Sequence, residues 1–200
     1  MRLVAASAET KGEPAPMERS DDELMLLARG GVESAFDELV RRHQRRVLRV
    51  AARYLGSGSA SLVHDIAQDT FLEIYRGLHR YQPRGKFVPY LHGVLINRCR
   101  MAHRSARYEG QALRHHGAGA VATADGSSEA EVLARERRRD LEAAIGKLSH
   151  KLRDVVVLRF NAELDYAQIA ETLRVPVGTV KRRLFDAMKA LHAVVEKERP

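Results

Sequence analysis

The stretch DYAQIAETLRVPVGTVKRRLFDAMKALH, residues 165–192, reads as two helices joined by a tight turn. Asp165 can cap the first, whose inward residues are Ile169, Ala170 and Leu173. A turn follows at Arg174-Val175-Pro176, and a second helix begins at about Val177. The small Ala170 permits close helix crossing, and Val175 and Val180 supply inner contacts, which is the arithmetic of a helix-turn-helix. At 100° per residue, Val180, Leu184, Ala187 and Leu191 share one face of the second helix. Thr179, Arg182, Arg183 and Asp186 share the opposite face, flanked by Lys181 and Lys189. A basic outer face suits entry into a DNA major groove, because arginine can grip guanine bidentately while lysine and threonine suit phosphates. On local pattern alone, an ordinary helical hairpin with a solvated charged face fits as well.

Upstream, helical signals continue and no useful alternating β pattern or internal repeat occurs, so the fold class is all-α. Residues 1–20, with Pro14 and Pro16 and no period, read as a disordered tail; Met17 is a second candidate start. Ser20 or Asp21 can cap a first helix that Gly30-Gly31 breaks. A second runs from Val32 or Glu33 to about Leu55, with Phe36, Leu39, Val40, Val47, Val50, Ala51 and Tyr54 at helical spacing. Leu62 to Leu78 makes a third, with Ile66, Phe71, Ile74 and Tyr75 inward. Pro89 fits the first turn of a fourth that ends near Tyr108. Glu109 to Ser128 is rich in Gly, Ala, His and Ser without period, and a second helical block begins near Glu129. The chain thus divides into a tail (1–20), a first domain (21–108), a flexible linker (109–134) and a second domain (135–197).

The formal charge is +8, from 34 Lys and Arg against 26 acids, which fits a partner made of phosphates. The one cysteine, Cys99, excludes an internal disulfide and a multi-cysteine zinc site, and suits a reducing cytoplasm. No apolar run approaches the roughly 18 residues of a membrane span. Nine histidines form no His-Glu-x-x-His pair, and no Walker loop or dinucleotide fingerprint occurs. The expectation is therefore a cytoplasmic protein with no membrane insertion, metal, cofactor, small-molecule substrate or enzymatic activity. Arg41, Arg45, Arg49 and Arg53 form a one-turn-spaced stripe, read as a solvated face in preference to a nucleic-acid contact.

Together the two blocks resemble the extracytoplasmic-function (ECF) sigma factors of bacterial RNA polymerase. Residues 165–171, 175–181 and 183–184 look like region 4.2 of that family; Leu148, Arg153 and Val155 to Phe160 resemble region 4.1. Asp65-Ile66-Ala67-Gln68-Asp69-Thr70-Phe71 resembles region 2.2, and Phe87 to Arg98 regions 2.3 and 2.4. The resemblance implies a factor that binds core RNA polymerase and promoter DNA, with an anti-sigma factor as a further candidate partner.

By the same resemblance, Asp65, Ile66, Gln68 and Asp69 would dock on the polymerase, although Ile66 and Phe71 also suit core positions. Asp65 and Asp69 are like charges one turn apart, which a basic partner surface would relieve. Helical projection puts Leu91, Val94, Leu95, Cys99 and Ala102 on one side of the fourth helix and Asn97, Arg100, Arg104 and Arg107 on the other. Asn97, Arg100 and Arg104, with Tyr90 as the stacking aromatic, would read the minus-10 element as single strand. Thr179, Lys181, Arg182 and Arg183 would read the minus-35 element. Arg98 projects into the apolar side and is expected to pair with a carboxylate. Four residues depart from the family: Tyr90 where Trp is usual, Arg174 for the turn glycine, Ser149 for the proline that usually follows Leu148, and Arg182 where a small residue is frequent. Two rival functions, an operator-binding regulator and a non-DNA interaction protein, need no polymerase-docking helix.

Overall fold

A computed structural model describes residues 19–56, 60–113 and 140–197. Its elements are α1 (Asp21–Arg29), α2 (Glu33–Leu55), α3 (Ala60–Arg76), a 3-10 turn (Leu78–Arg80), α4 (Phe87–Leu113), α5 (helical over 140–147), α6 (His150–Phe160), α7 (Tyr166–Leu173) and α8 (Val177–Lys197). No strand occurs among the described residues, as the all-α reading expects.

Local chemistry sets the helix starts. Ser20 caps α1 in a reciprocal box: Glu23 N donates to Ser20 Oγ at 3.3 Å, and Ser20 N donates to Glu23 Oε2 at 2.7 Å. Asp21 and Asp22 then tie α1 to its neighbours. Asp21 meets Arg42 at 3.1 Å and His43 at 2.8 Å, while Asp22 accepts from the Tyr81 hydroxyl and the Gly85 amide. Burial works to raise the Asp21 pKa, but His43 and Arg42 hold it below the usual carboxylate range.

The first block packs α1–α4 around Leu24, Leu39, Val47, Ile74, Leu91 and Leu95, all at most 1% exposed. Truncating such a leucine to alanine costs roughly 2–5 kcal/mol. The second block packs α6–α8 around Val155, Val157, Leu158, Ile169, Val180 and Ala187. The blocks touch: α7 lies against α4 and α6 against α2, so the buried apolar residues form one continuous cluster.

Three expectations change. Helix α4 continues past Tyr108 to Leu113, through Gly110, so the stretch read as linker from Glu109 begins helically; residues 114–134 lie outside the described residues, as does the tail before residue 19 and the start of the second helical block. Tyr75, expected inward, is 46% exposed and packs edge-on against Phe36 at 5.0 Å between ring centroids. The third helix ends at Arg76, because Gly77 leads into the 3-10 turn.

Candidate nucleic-acid and polymerase interface

The helix-turn-helix comprises α7 and α8. Asp165 caps α7 reciprocally with Gln168: Gln168 N donates to Asp165 Oδ1 at 2.8 Å, and Asp165 N donates to Gln168 Oε1 at 3.0 Å. Arg174 closes α7 in the left-handed region, φ 53°. A side chain there costs on the order of 1 kcal/mol relative to glycine. The Val175 amide donates back to Ala170 O at 2.9 Å, which sets the tight turn into α8. Val180, Leu184, Ala187 and Leu191 are buried, as helical projection expects. Opposite them, Lys181 and Arg182 are exposed and Thr179 and Arg183 half-buried. Lys181 Nζ lies 5.9 Å from the centre of the Tyr166 ring, a cation–π contact that steadies it at the start of the helix pair. Arg182 therefore points directly outward, with Thr179 and Lys181 to either side of it and Arg183 at the edge of the buried stripe beside Leu184.

On α4, Leu91, Leu95 and Cys99 are fully buried, and burial, with Asp154 nearby, pushes the Cys99 thiol up to about 12. Asn97 and Arg104 are exposed on the other side. Tyr90 is half-buried, its ring 5.4 Å from that of Tyr81. Arg100, expected free on this face, is not free. It forms a charge-assisted pair with the Asp154 carboxylate of α6, and its Nη1 reaches Asn97 Oδ1 at 3.5 Å. Burial works against the Arg100 charge, but Asp154 raises its pKa overall.

On α3, Asp65, Gln68 and Asp69 are exposed, but Ile66 is 5% exposed. Ile66 therefore belongs to the core and leaves the candidate docking surface; its spacing puts it one turn before Thr70, which is also buried. Arg98 pairs with Glu73 at 2.7 Å and Asp69 at 3.5 Å. The like-charge pair Asp65/Asp69 is thus already relieved on one side from within the chain. Exposed Leu72 and Tyr75 flank the same surface and, with Phe36, Val40 and Phe71, line an open groove between α2 and α3.

The polar contacts between the two blocks escaped sequence reasoning. Asp154 is wholly buried and accepts from Tyr54 Oη at 3.0 Å as well as from Arg100. Burial, then the Asp154 charge, pushes the Tyr54 phenol well above its usual range. Arg153, also buried, donates to the carbonyls of Ile145, Gly146 and Leu148, and its guanidinium sits 5.3 Å from the Tyr54 ring centre. Arg49 and Arg53 of the arginine stripe pair with Glu163 at 3.0 Å and Glu142 at 3.4 Å, while Arg41 pairs with Glu38 on its own helix. No described group of His, Cys, Asp and Glu side chains is arranged to hold a metal ion.

A helix-turn-helix with a basic second helix, joined to a helical block bearing a basic helix face, defines a DNA-binding protein of two modules. Comparison with known proteins narrows this. The family described as Sigma-70 region 2 matches residues 39–108, and that described as Sigma-70, region 4 matches residues 138–191. The chain is 34% identical to the ECF RNA polymerase sigma factor SigE of Mycolicibacterium smegmatis, over 82% of this chain and 62% of that protein. It is 28% identical to the ECF RNA polymerase sigma-E factor of Salmonella typhimurium, over 88% of this chain and 95% of that one. Among solved structures, CnrH in complex with the cytosolic domain of CnrY superposes with a TM-score of 0.67 at 25% identity, over 90% of this chain and 99% of CnrH. A sigma factor of Bartonella quintana, at 19% identity, shares the fold with a TM-score of 0.60 over 82% of this chain and 98% of that one. The chain belongs to the ECF sigma factors of the sigma-70 family, non-enzymatic initiation factors that direct RNA polymerase to promoters.

Proposed function

We propose that this sigma factor divides its work among three surfaces. The α3 face of Asp65, Gln68 and Asp69 docks on core RNA polymerase. Asn97, Arg104, Tyr90 and, once released from Asp154, Arg100 read the minus-10 element as single strand. Thr179, Lys181, Arg182 and Arg183 read the minus-35 element in the major groove. The separation falls within 109–134, between a region 2 domain (21–108) and a region 4 domain (135–197), and a polymerase partner makes the protein cytoplasmic. The factor performs no reaction of its own. An anti-sigma factor is a further partner on the same footing, since the sigma factor RpoE of Bartonella quintana, which shares the fold, was captured with the anti-sigma factor NepR.

One observation carries this reading: Asp65 and Gln68 are exposed on the helix whose inward residues Val63, Ile66, Ala67, Thr70 and Phe71 are buried. Those polar side chains are therefore available to a partner without disturbing the core. The test is run-off transcription with purified core polymerase on genomic fragments, together with core-binding assays. Asp65→Arg and Gln68→Arg should each weaken core binding about tenfold or more with unchanged circular dichroism. Unchanged core affinity in both variants would remove the docking assignment. Asp69→Arg is a poorer probe, because it also breaks the contact to Arg98.

A further inference from the structure

We propose that Asp22 of α1 is a positioning residue for promoter reading: its carboxylate clamps both ends of the loop from Tyr81 to Gly85, and the loop shape so held sets base preference through Gln82 and Arg84. The inference rests on the reading of Asn97 and Tyr90 as part of the minus-10 face.

The loop Tyr81-Gln82-Pro83-Arg84-Gly85 leads from the 3-10 turn toward α4. Its two ends meet one carboxylate that stands 59 and 63 positions earlier in the chain: Asp22 Oδ1 accepts from the Tyr81 hydroxyl and Oδ2 from the Gly85 amide. Gly85 stands at φ 67°, a turn that glycine makes without steric cost. Tyr81 is held from other sides as well. It is buried, Arg29 Nη1 donates to its carbonyl oxygen at 3.4 Å, and its ring packs on Phe87 and Tyr90 at 6.3 and 5.4 Å between centroids. Burial, then the bond to Asp22, raises the Tyr81 pKa, so the hydroxyl stays a donor. Between the clamped ends Gln82, Pro83 and Arg84 are exposed, and Arg84 Nη2 donates to Gln82 Oε1 at 2.5 Å. Ordering exposed backbone costs conformational entropy that no burial offsets there, and the two bonds to Asp22 act against that cost.

The place of the loop gives the clamp its consequence. The loop rims a cavity of about 710 Å³ whose walls include Arg80, Gln82, Arg84, Tyr90 and Arg98. One acid, Glu73, lines it, and Arg98 engages that acid at 2.7 Å. Several cations beside an aromatic face suit a strand of nucleotides, and Tyr90 makes the cavity continuous with the minus-10 face. Gln82 brings an amide with a donor and an acceptor, the same chemistry as Asn97, and Arg84 brings a planar fork of donors. Such groups choose between bases only while they are held in place; on a loose loop they would meet phosphates and select nothing.

The experiment reconstitutes the full chain with core polymerase on templates whose minus-10 bubble is already open, with single-base changes on the non-template strand. Asp22→Ala removes the clamp from α1, and Tyr81→Phe removes one of its two bonds from the loop side while keeping the ring. Glu23→Gln, at the neighbouring acid that bonds Ser20, is the control. Asp22→Ala and Tyr81→Phe should each lower base discrimination about fivefold at the same single position, the scale of one lost base contact. Asp22→Asn keeps an acceptor for the Gly85 amide and should recover part of that loss, while Glu23→Gln should match wild type. Asp22→Ala also takes a charge from the start of α1, so agreement with Tyr81→Phe is what separates the clamp from helix stability. Wild-type discrimination at every position in both variants overturns the proposal, as does a loss confined to Asp22→Ala or one equalled by Glu23→Gln. Asn97→Ala, run in parallel, keeps the two readings apart. A change there with none in the clamp variants fails the clamp alone, whereas no change in any variant fails the minus-10 reading as well.

Discussion

Tyr54 of α2 donates its hydroxyl at 3.0 Å to the buried carboxylate of Asp154 in α6, a residue one hundred positions further along the chain. With the Arg100–Asp154 pair, this bond ties region 2 to region 4 at a wholly buried carboxylate. Tyr54→Phe keeps the ring, and with it the Arg153 cation–π contact, but removes the donor. Hydrogen bonds to charged groups contribute about 1.5–3 kcal/mol net. The variant should therefore unfold at a lower urea midpoint, with a loss on the order of 1–2 kcal/mol since Arg100 still serves the carboxylate. A midpoint equal to that of wild type would show that the bond contributes nothing.

His92 sets part of the acid limit of stability. It is fully buried in α4, its Nδ1–H donating to Val88 O at 2.9 Å, while Nε2 has no hydrogen-bond partner. Burial, with Arg46 and His43 nearby, lowers its pKa to about 4 against a backbone contact to Val88 that works the other way. The neutral ring is therefore the folded form, whereas the unfolded ring takes up a proton below about pH 6.5. Between about pH 4 and 6.5 the unfolded state binds more protons, so stability falls as pH falls. The contribution over that window is on the order of 3 kcal/mol. His92→Phe, which keeps a ring in the same space, should flatten the pH dependence of unfolding by about one proton there. An unchanged slope would mean that His92 does not titrate in this way.

On α8, Arg182 points outward and is exposed, whereas Arg183, at the edge of the buried stripe beside Leu184, is half-buried. An exposed, extended arginine is free to follow phosphates; one braced at its base has fewer rotamers and is better placed for bidentate contact with a guanine. Arg183→Ala should thus cost roughly 1–3 kcal/mol at one base position of the minus-35 element, and Arg182→Ala should weaken all sequences alike. Promoter activity across single-base minus-35 variants separates the two. Equal, uniform losses for both would contradict the division of labour; no loss for either would place this face off the DNA.

The helix-turn-helix was legible because everything that specifies it is local. The cap at Asp165, the small Ala170 and the period of Val180, Leu184, Ala187 and Leu191 all fall within 27 positions, and each is where the sequence expects it. Projection also foresaw that Arg98 would meet carboxylates, here Glu73 and Asp69. What could not be read is tertiary. Nothing near Arg100 in the sequence announces Asp154, so an arginine on the polar side of α4 looked free. Arg49 and Arg53 looked like a solvated stripe until Glu163 and Glu142 came opposite. Ile66 and Tyr75 are both apolar and half a heptad apart from other core residues, and only packing decides that the first is buried and the second is not. The sequence pattern puts the end of the fourth helix near Tyr108, yet α4 runs on to Leu113.

The two candidate minus-10 residues on α4 should fail in different ways. Asn97 is exposed, and its one described side-chain contact is the long 3.5 Å approach of Arg100. Removing its amide therefore leaves the fold alone and takes away one donor and one acceptor for a base edge. Tyr90 sits lower, half-buried against Tyr81, and its hydroxyl lies 3.3 Å from where a Cβ on Gly77 would stand. It offers a planar face to a neighbouring base pair but cannot follow a base far from the helix, which suits holding a duplex open more than reading sequence. Asn97→Ala should impair initiation on duplex promoters and also change base preference on a template whose minus-10 bubble is already open. Tyr90→Leu fills nearly the same volume without the ring face, so its defect should appear on duplex and largely vanish on the open bubble. The measurement is the initiation rate of the reconstituted holoenzyme on matched duplex and bubble templates with single-base changes on the non-template strand. Wild-type rate and base preference for Asn97→Ala on both templates would leave the first domain without its reader, and with only the docking face of α3 to account for it.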